Sequence, residues 1–103
     1  WADIVLCRGG ALTIAEIAAV GLPAIVVPLP GAIADEQSAN ARFLTEAGAA
    51  FTVRQDDLTA DRLAALLASF TRTQALAMAN AAYRIGKRDA ADRVADACLA
   101  LAP

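Results

Sequence analysis

An α/β fold with a parallel sheet is what this sequence predicts, and three observations predict it. Short apolar runs alternate with helix-length periodic segments in the order strand–helix–strand–helix–strand–helix, which implies right-handed crossovers within one sheet. The second run, Ala24 to Pro28, is continuous in apolar residues, as a strand covered on both faces is. Glycines stand where the first two helices should stop, at Gly21 and Gly48.

The elements follow in order. Ile4-Val5-Leu6-Cys7, bounded by Asp3 and by Arg8-Gly9-Gly10, reads as a buried strand. Thr13 to Val20 reads as a helix, with Ile14, Ile17, Ala18 and Gly21 on one face and a stop at Gly21 and Pro23. After the second strand, Pro28-Leu29-Pro30-Gly31 turns the chain out of the sheet, and Asp35 caps a helix reaching about Ala47. Ala39, Phe43, Leu44 and Ala47 form its buried stripe. Ala50-Phe51-Thr52-Val53 is a third, short strand near an edge. Beyond Asp56-Asp57-Leu58-Thr59, the residues Leu63, Leu66, Leu67 and Phe70 sit at i, i+3, i+4 and i+7 of a helix. Two more helices run from about Thr73 to Ile85 and from Asp89 to Leu101, with Gly86 between them. The stripes after Thr59, and Tyr83, are expected to be core. A Rossmann-like half is the natural architecture, flanked by helices and with about three strands in these 103 residues. Both sheet edges are open, and the chain begins on Trp1; both point to a piece of a longer protein.

Composition narrows the function. At 58% hydrophobic and 19% charged the chain is not disordered. A net charge of −2 without a Lys/Arg run gives no footprint for nucleic acid. The stretch Gly21 to Ala34 is interrupted by Pro23, Pro28 and Pro30 and is too short to span a bilayer, and no signal-peptide pattern precedes it. Cys7 and Cys98 follow no metal or redox spacing and read as buried thiols. There is no histidine, which excludes Ser-His-Asp triads and His-based metal sites within this chain.

Ligands of open α/β sheets bind beyond the carboxyl ends of the strands. Gly9-Gly10-Ala11-Leu12-Thr13 lies there, with two residues lacking side chains ahead of a helix N-terminus. Unpaired N–H groups and the positive dipole end suit a diphosphate, and Thr13 adds a hydroxyl; a tight strand-to-helix turn would look the same. Glu16, in the first turn and about 200° from Ile14 around the helix, suits the hydroxyls of a ribose, or simply complements the dipole. Gln37 and Asn40, three apart near the next helix start, suit sugar hydroxyls or plain solvent. Arg8 could face phosphate or a carboxylate.

In order and spacing, Arg8-Gly9-Gly10-Ala11-Leu12-Thr13-Ile14-Ala15-Glu16, Gly21-Leu22-Pro23-Ala24, Val27-Pro28-Leu29-Pro30, Asp35-Glu36-Gln37-Ser38-Ala39-Asn40-Ala41 and Ala47-Gly48-Ala49-Ala50 resemble the C-terminal domain of the MurG family of lipid-linked N-acetylglucosaminyltransferases. The resemblance covers Trp1 to about Leu67; the last two helices match in character only. G-A-L-T-x-x-E combined with D-x-Q-x-x-N-A is far more specific than either part. The resemblance implies a glycosyltransferase-B fold of two Rossmann-like halves. It implies an inverting hexosyltransferase that moves GlcNAc from UDP-GlcNAc to undecaprenyl-pyrophosphoryl-MurNAc-pentapeptide in bacterial cell-wall synthesis, with no metal and no cofactor. Carried onto this sequence, Gly10, Ala11, Leu12, Thr13, Ile14 and Ala15 would line the donor diphosphate and sugar. Glu16 would bind the uridine ribose, and Gln37, with Glu36 and Asn40, would contact GlcNAc hydroxyls. The family's acceptor site, membrane-docking patch and general base belong to an N-terminal half that these residues do not include. The implied location is peripheral, on the cytoplasmic face of the inner membrane.

Two departures stand out. Gly9 replaces a common Ser or Ala, a change expected to be tolerable in a turn. Gly31 stands where a histidine is usual and is given no catalytic role. A related lipid glycosyltransferase, a UDP-GlcNAc 2-epimerase, the nucleotide-sugar subunit of a split transferase and an isolated domain without ligand remain alternatives.

Overall fold

A computed structural model describes residues 1–103. Three parallel strands, β1 (Val5–Cys7), β2 (Ala24–Val26) and β3 (Ala50–Thr52), lie in the order β1-β2-β3. Val5 pairs with Ala24 and Ala24 with Ala50, so the carboxyl ends of all three strands emerge together. Helix α1 (Ala11–Val20) connects β1 to β2, and α2 (Glu36–Glu46) connects β2 to β3. The central strand explains the continuous apolar run: Ala24, Ile25 and Val26 are all fully buried.

Helix α1 begins at Ala11, two residues before the expected Thr13, because nothing after Gly10 opposes helical geometry. It ends as predicted. Gly21 takes a left-handed φ of 80°, a conformation costly for any residue with a Cβ, and its N–H bonds to Ile17 O at 2.9 Å. Ile14, Ile17 and Ala18 of α1 join Ala41 and Leu44 of α2, Val26 of β2 and Ala49 in one core cluster.

Beyond β3 the helices are α3 (Ala60–Ser69), α4 (Arg72–Ile85) and α5 (Ala90–Leu101). Thr59 and Thr71 cap the first two, accepting from Arg62 N and Gln74 N at 3.1 Å each. Helix α4 packs on α1, with Ala81 and Ala82 in the same core cluster as Ile14, Ile17 and Ala18; Met78 of α4 is buried as well. The small alanines let the backbones approach so closely that a Cβ on Gly86 would collide with the Ala18 carbonyl oxygen and lie 2.7 Å from its carbon.

The expectation that every later stripe is core does not hold. Leu63 and Leu66 of α3 and Phe70, just past its end, are half-buried, and Leu67 is exposed. Phe70 meets Phe51 of β3 edge-on, with ring centroids 5.6 Å apart. No residue of α5 is buried. An apolar stripe becomes core only where another surface covers it, and nothing in these residues covers α5. Tyr83 is 52% exposed; the Arg88 guanidinium lies 3.8 Å over its ring. Cys98 is exposed too, while Cys7 is half-buried and burial pushes its thiol pKa up. No helix is long and apolar enough to cross a membrane.

Candidate functional site

The loop between β1 and α1 is where the expected residues converge. Gly10 is the N-cap of α1, with extended φ and ψ of −63° and 143°, and no side chain caps the helix. The first backbone bond is Ile14 N to Gly10 O at 3.0 Å, so the N–H groups of Ala11, Leu12 and Thr13 have no acceptor in the protein. Such a row of open amides at the positive end of a helix dipole attracts an anion.

The loop owes its shape to α2. Gln37 Oε1 accepts from Gly9 N at 3.1 Å and from Leu29 N at 2.9 Å, tying together the loops that leave β1 and β2. Asn40 Nδ2 donates to Gly9 O at 3.0 Å. Both polar groups of Gly9 are therefore held by side chains from the start of α2. Each such bond contributes about 0.5–1.5 kcal/mol net. Gln37 has only its Nε2 donors left for any other partner.

This packing corrects the reading of Gly9. A Cβ there would run into the Gln37 carbonyl oxygen and stand 3.0 Å from its carbon, so a Ser or Ala is not tolerated unless α2 moves back. Gly31, by contrast, has φ 73° and open space around it, and no contact takes the place of an imidazole.

The remaining residues divide. Leu12, Thr13 and Glu16 are exposed on α1, spaced so that Leu12 and Thr13 each neighbour Glu16 at helical distance. Glu16 is the sixth residue of the helix, not in its first turn. The dipole effect fades within that turn, which removes the simplest structural account of the carboxylate. Ala11 and Ala15 are exposed as well. Ile14 is different: its side chain is 3% exposed within the core and its N–H is taken by Gly10 O, so it has nothing to offer a ligand. Glu36 is exposed at the first position of α2. Asp35 does not cap that helix; its Oδ1 accepts from Ser38 Oγ at 2.7 Å. Ala34 and Asp35 both have left-handed φ, 54° and 52°, so the entry to α2 holds strain of about 1–2 kcal/mol per residue.

Arg8 meets no carboxylate of the protein. Its guanidinium donates to Val27 O at 3.3 Å, Pro28 O at 3.4 Å and Gln55 Oε1 at 2.7 Å. It binds the strand ends to one another. Leu29 N and Gln55 were missed in the sequence because their roles depend on partners far along the chain, with no local spacing to reveal them. A cleft of about 380 Å³ lies alongside, lined by Asp35, Ser38, Thr52, Arg54 and Asp56 among others. None of the expected residues lines it. The open amides and Glu16 are not among its lining residues.

The family model of the glycosyltransferase family 28 C-terminal domain matches residues 1–94. The chain belongs to this family. A relative from Thiobacillus denitrificans, named UDP-N-acetylglucosamine--N-acetylmuramyl-(pentapeptide) pyrophosphoryl-undecaprenol N-acetylglucosamine transferase, is 52% identical over 100 residues, covering 97% of this chain and 27% of the relative. A relative of the same name from Dechloromonas aromatica is 49% identical over 102 residues, covering 99% of this chain and 29% of the relative. Among solved structures, the crystal structure of Acinetobacter baumannii MurG superposes with a TM-score of 0.86 at 40% identity, covering 92% of this chain and 28% of that one. The fold is thus the Rossmann-like C-terminal half of a glycosyltransferase-B architecture, and the chain spans less than a third of the relatives it matches.

Proposed function

We propose that this chain supplies the donor-binding part of an inverting hexosyltransferase that moves GlcNAc from UDP-GlcNAc to undecaprenyl-pyrophosphoryl-MurNAc-pentapeptide in peptidoglycan synthesis. The observation that carries this reading is the uncapped start of α1, with three open amides followed by an exposed carboxylate on the same helix. The relatives' printed name supplies the substrates.

On this reading the diphosphate of the donor accepts from the N–H groups of Ala11, Leu12 and Thr13, with the Thr13 hydroxyl beside them. Glu16 lies five residues along α1, about 7.5 Å at helical rise, a distance suited to a ribose attached to that diphosphate. Its carboxylate accepts from both ribose hydroxyls. On the other side Gln37 donates through Nε2 to GlcNAc hydroxyls, with Glu36 and Asn40 nearby. The acceptor hydroxyl attacks the anomeric carbon as the bond to the diphosphate oxygen breaks, inverting the configuration. The charge that grows on the leaving UDP falls where the open amides point, so they stabilise the transition state more than the ground state.

The acceptor site, the general base and the membrane-docking patch are assigned to sequence outside these 103 residues. The intact enzyme is placed peripherally on the cytoplasmic face of the bacterial plasma membrane. Calorimetric titration with UDP and UDP-GlcNAc tests the donor site. Both should bind, and Glu16→Ala should weaken both by roughly tenfold or more, since hydrogen bonds to a charged group are the strong ones. Unchanged affinity in Glu16→Ala would remove the ribose assignment.

A further inference from the structure

We infer that the cleft between the loops after β2 and β3 receives the end of the peptide borne by the acceptor, a role that rests on the donor-site reading above. Its volume of about 380 Å³ lies within the range of small-molecule sites, about 300–1,000 Å³. Donor binding uses none of the side chains that β3 and the turn beyond it give to the cleft, those of Thr52, Arg54 and Asp56.

The place of the cleft along the sheet decides what can reach it. The strands lie in the order β1-β2-β3, with their carboxyl ends emerging together. The open amides follow β1. Gln37 comes next, its Oε1 accepting from Gly9 N after β1 and from Leu29 N after β2. Leu29 already lines the cleft, which extends from there to Thr52 at the end of β3 and to Arg54 beyond it. Diphosphate, sugar and cleft thus follow one another along one edge, on strands about 4.8 Å apart. Inversion requires the attacking oxygen to enter on the face of the sugar opposite the bond that breaks. The diphosphate leaves on the β1 side, so the acceptor hydroxyl arrives from the cleft side. The muramyl sugar and its lipid stay with residues outside this chain. The peptide carried on that sugar is the part delivered to the cleft.

The lining suits a peptide better than a second anion. Ser38 Oγ donates to Asp35 Oδ1 at 2.7 Å, and Gln55 Oε1 accepts from Arg8 at 2.7 Å, so these groups are engaged within the protein. Thr52, Arg54 and Asp56 are exposed. Two carboxylates, Asp35 and Asp56, beside one guanidinium disfavour a phosphate group. A peptide offers N–H groups that donate to the Asp56 carboxylate and the Thr52 hydroxyl. Its C-terminal carboxylate pairs with the Arg54 guanidinium, whose fork matches two carboxylate oxygens.

The test is an NMR titration of the 103-residue chain with soluble MurNAc-pentapeptide, after a separate titration with UDP. The amide resonances of Thr52, Arg54 and Asp56 should shift at millimolar peptide, while MurNAc without the peptide leaves them still. Amidation of the peptide's C-terminal carboxylate should weaken binding about fivefold, as loss of one exposed charge pair does. Arg54→Ala should weaken the carboxylate form by the same factor and the amidated form no further. The amidated peptide tests the pairing on the unaltered chain, so the result does not depend on how the variant folds. No shift, shifts confined to other residues, or equal affinity for the two peptide forms overturns the proposal. If UDP shifts the amides of Leu12 and Thr13 while the peptide shifts nothing, the proposal falls alone and the donor-site reading stands. If UDP leaves those amides still, the donor-site reading falls and takes the proposal with it.

Discussion

The residues up to Val53 and those after it are built differently, though both are rich in apolar stripes. In the first region the sheet, α1 and α2 seal a core in which Ile25, Val26 and Leu44 are fully buried. Every residue proposed for the donor site comes from it. In the second region only Met78, Ala81 and Ala82 are buried, all of them on α4, the helix that packs on α1. The difference teaches that the residues of the donor site stand on the first region, and that the second is joined to it by the α1–α4 packing together with the Arg8–Gln55 hydrogen bond and the Phe51–Phe70 contact.

The largest effect should come from the sealed core. Leu44 has no exposed surface and lies in the cluster that joins α2 to the sheet. Leu44→Ala should cost about 2–5 kcal/mol, read as a lower midpoint in urea unfolding. A loss below about 1 kcal/mol would mean that this half is not the sealed unit described. The seam should come next. Gly86→Ala forces a methyl against the Ala18 carbonyl, and overpacking of this kind costs about 1–3 kcal/mol. An unchanged midpoint would show that α4 separates from α1 without penalty.

These two residues also show what a sequence discloses and what it hides. The strand–helix alternation, the left-handed stop at Gly21 and the open amides after Gly10 follow from local chemistry, and all were legible. Gly86 was legible only as a break between helices, because the backbone pressed against it belongs to a residue far earlier in the chain. The same holds for the site. The residue types at Gln37 and Asn40 announced hydrogen bonding, but their commitment to Gly9 and Leu29 depends on how α2 lies against the first loop. Ile14 was read into the site because it sits within a recognisable motif, yet its side chain belongs to the core. Periodicity placed the apolar residues of α3 and α5 on one face each and said nothing about what, if anything, covers them.

The smallest effect sharpens the comparison most, because it separates an apolar stripe from a buried one. Leu99 lies on an amphipathic helix yet is 71% exposed, with no residue of α5 buried. Leu99→Ala removes no packed contact, and alanine is a slightly better helix former than leucine. The midpoint of unfolding should therefore move by no more than about 0.5 kcal/mol in either direction. A Leu44→Ala variant measured beside it sets the scale for a leucine that is enclosed. If Leu99→Ala instead costs more than about 1.5 kcal/mol, the side chain is buried in solution. Helix α5 would then lie against the body of the chain, and the boundary drawn at Val53 would no longer separate a sealed region from an open one.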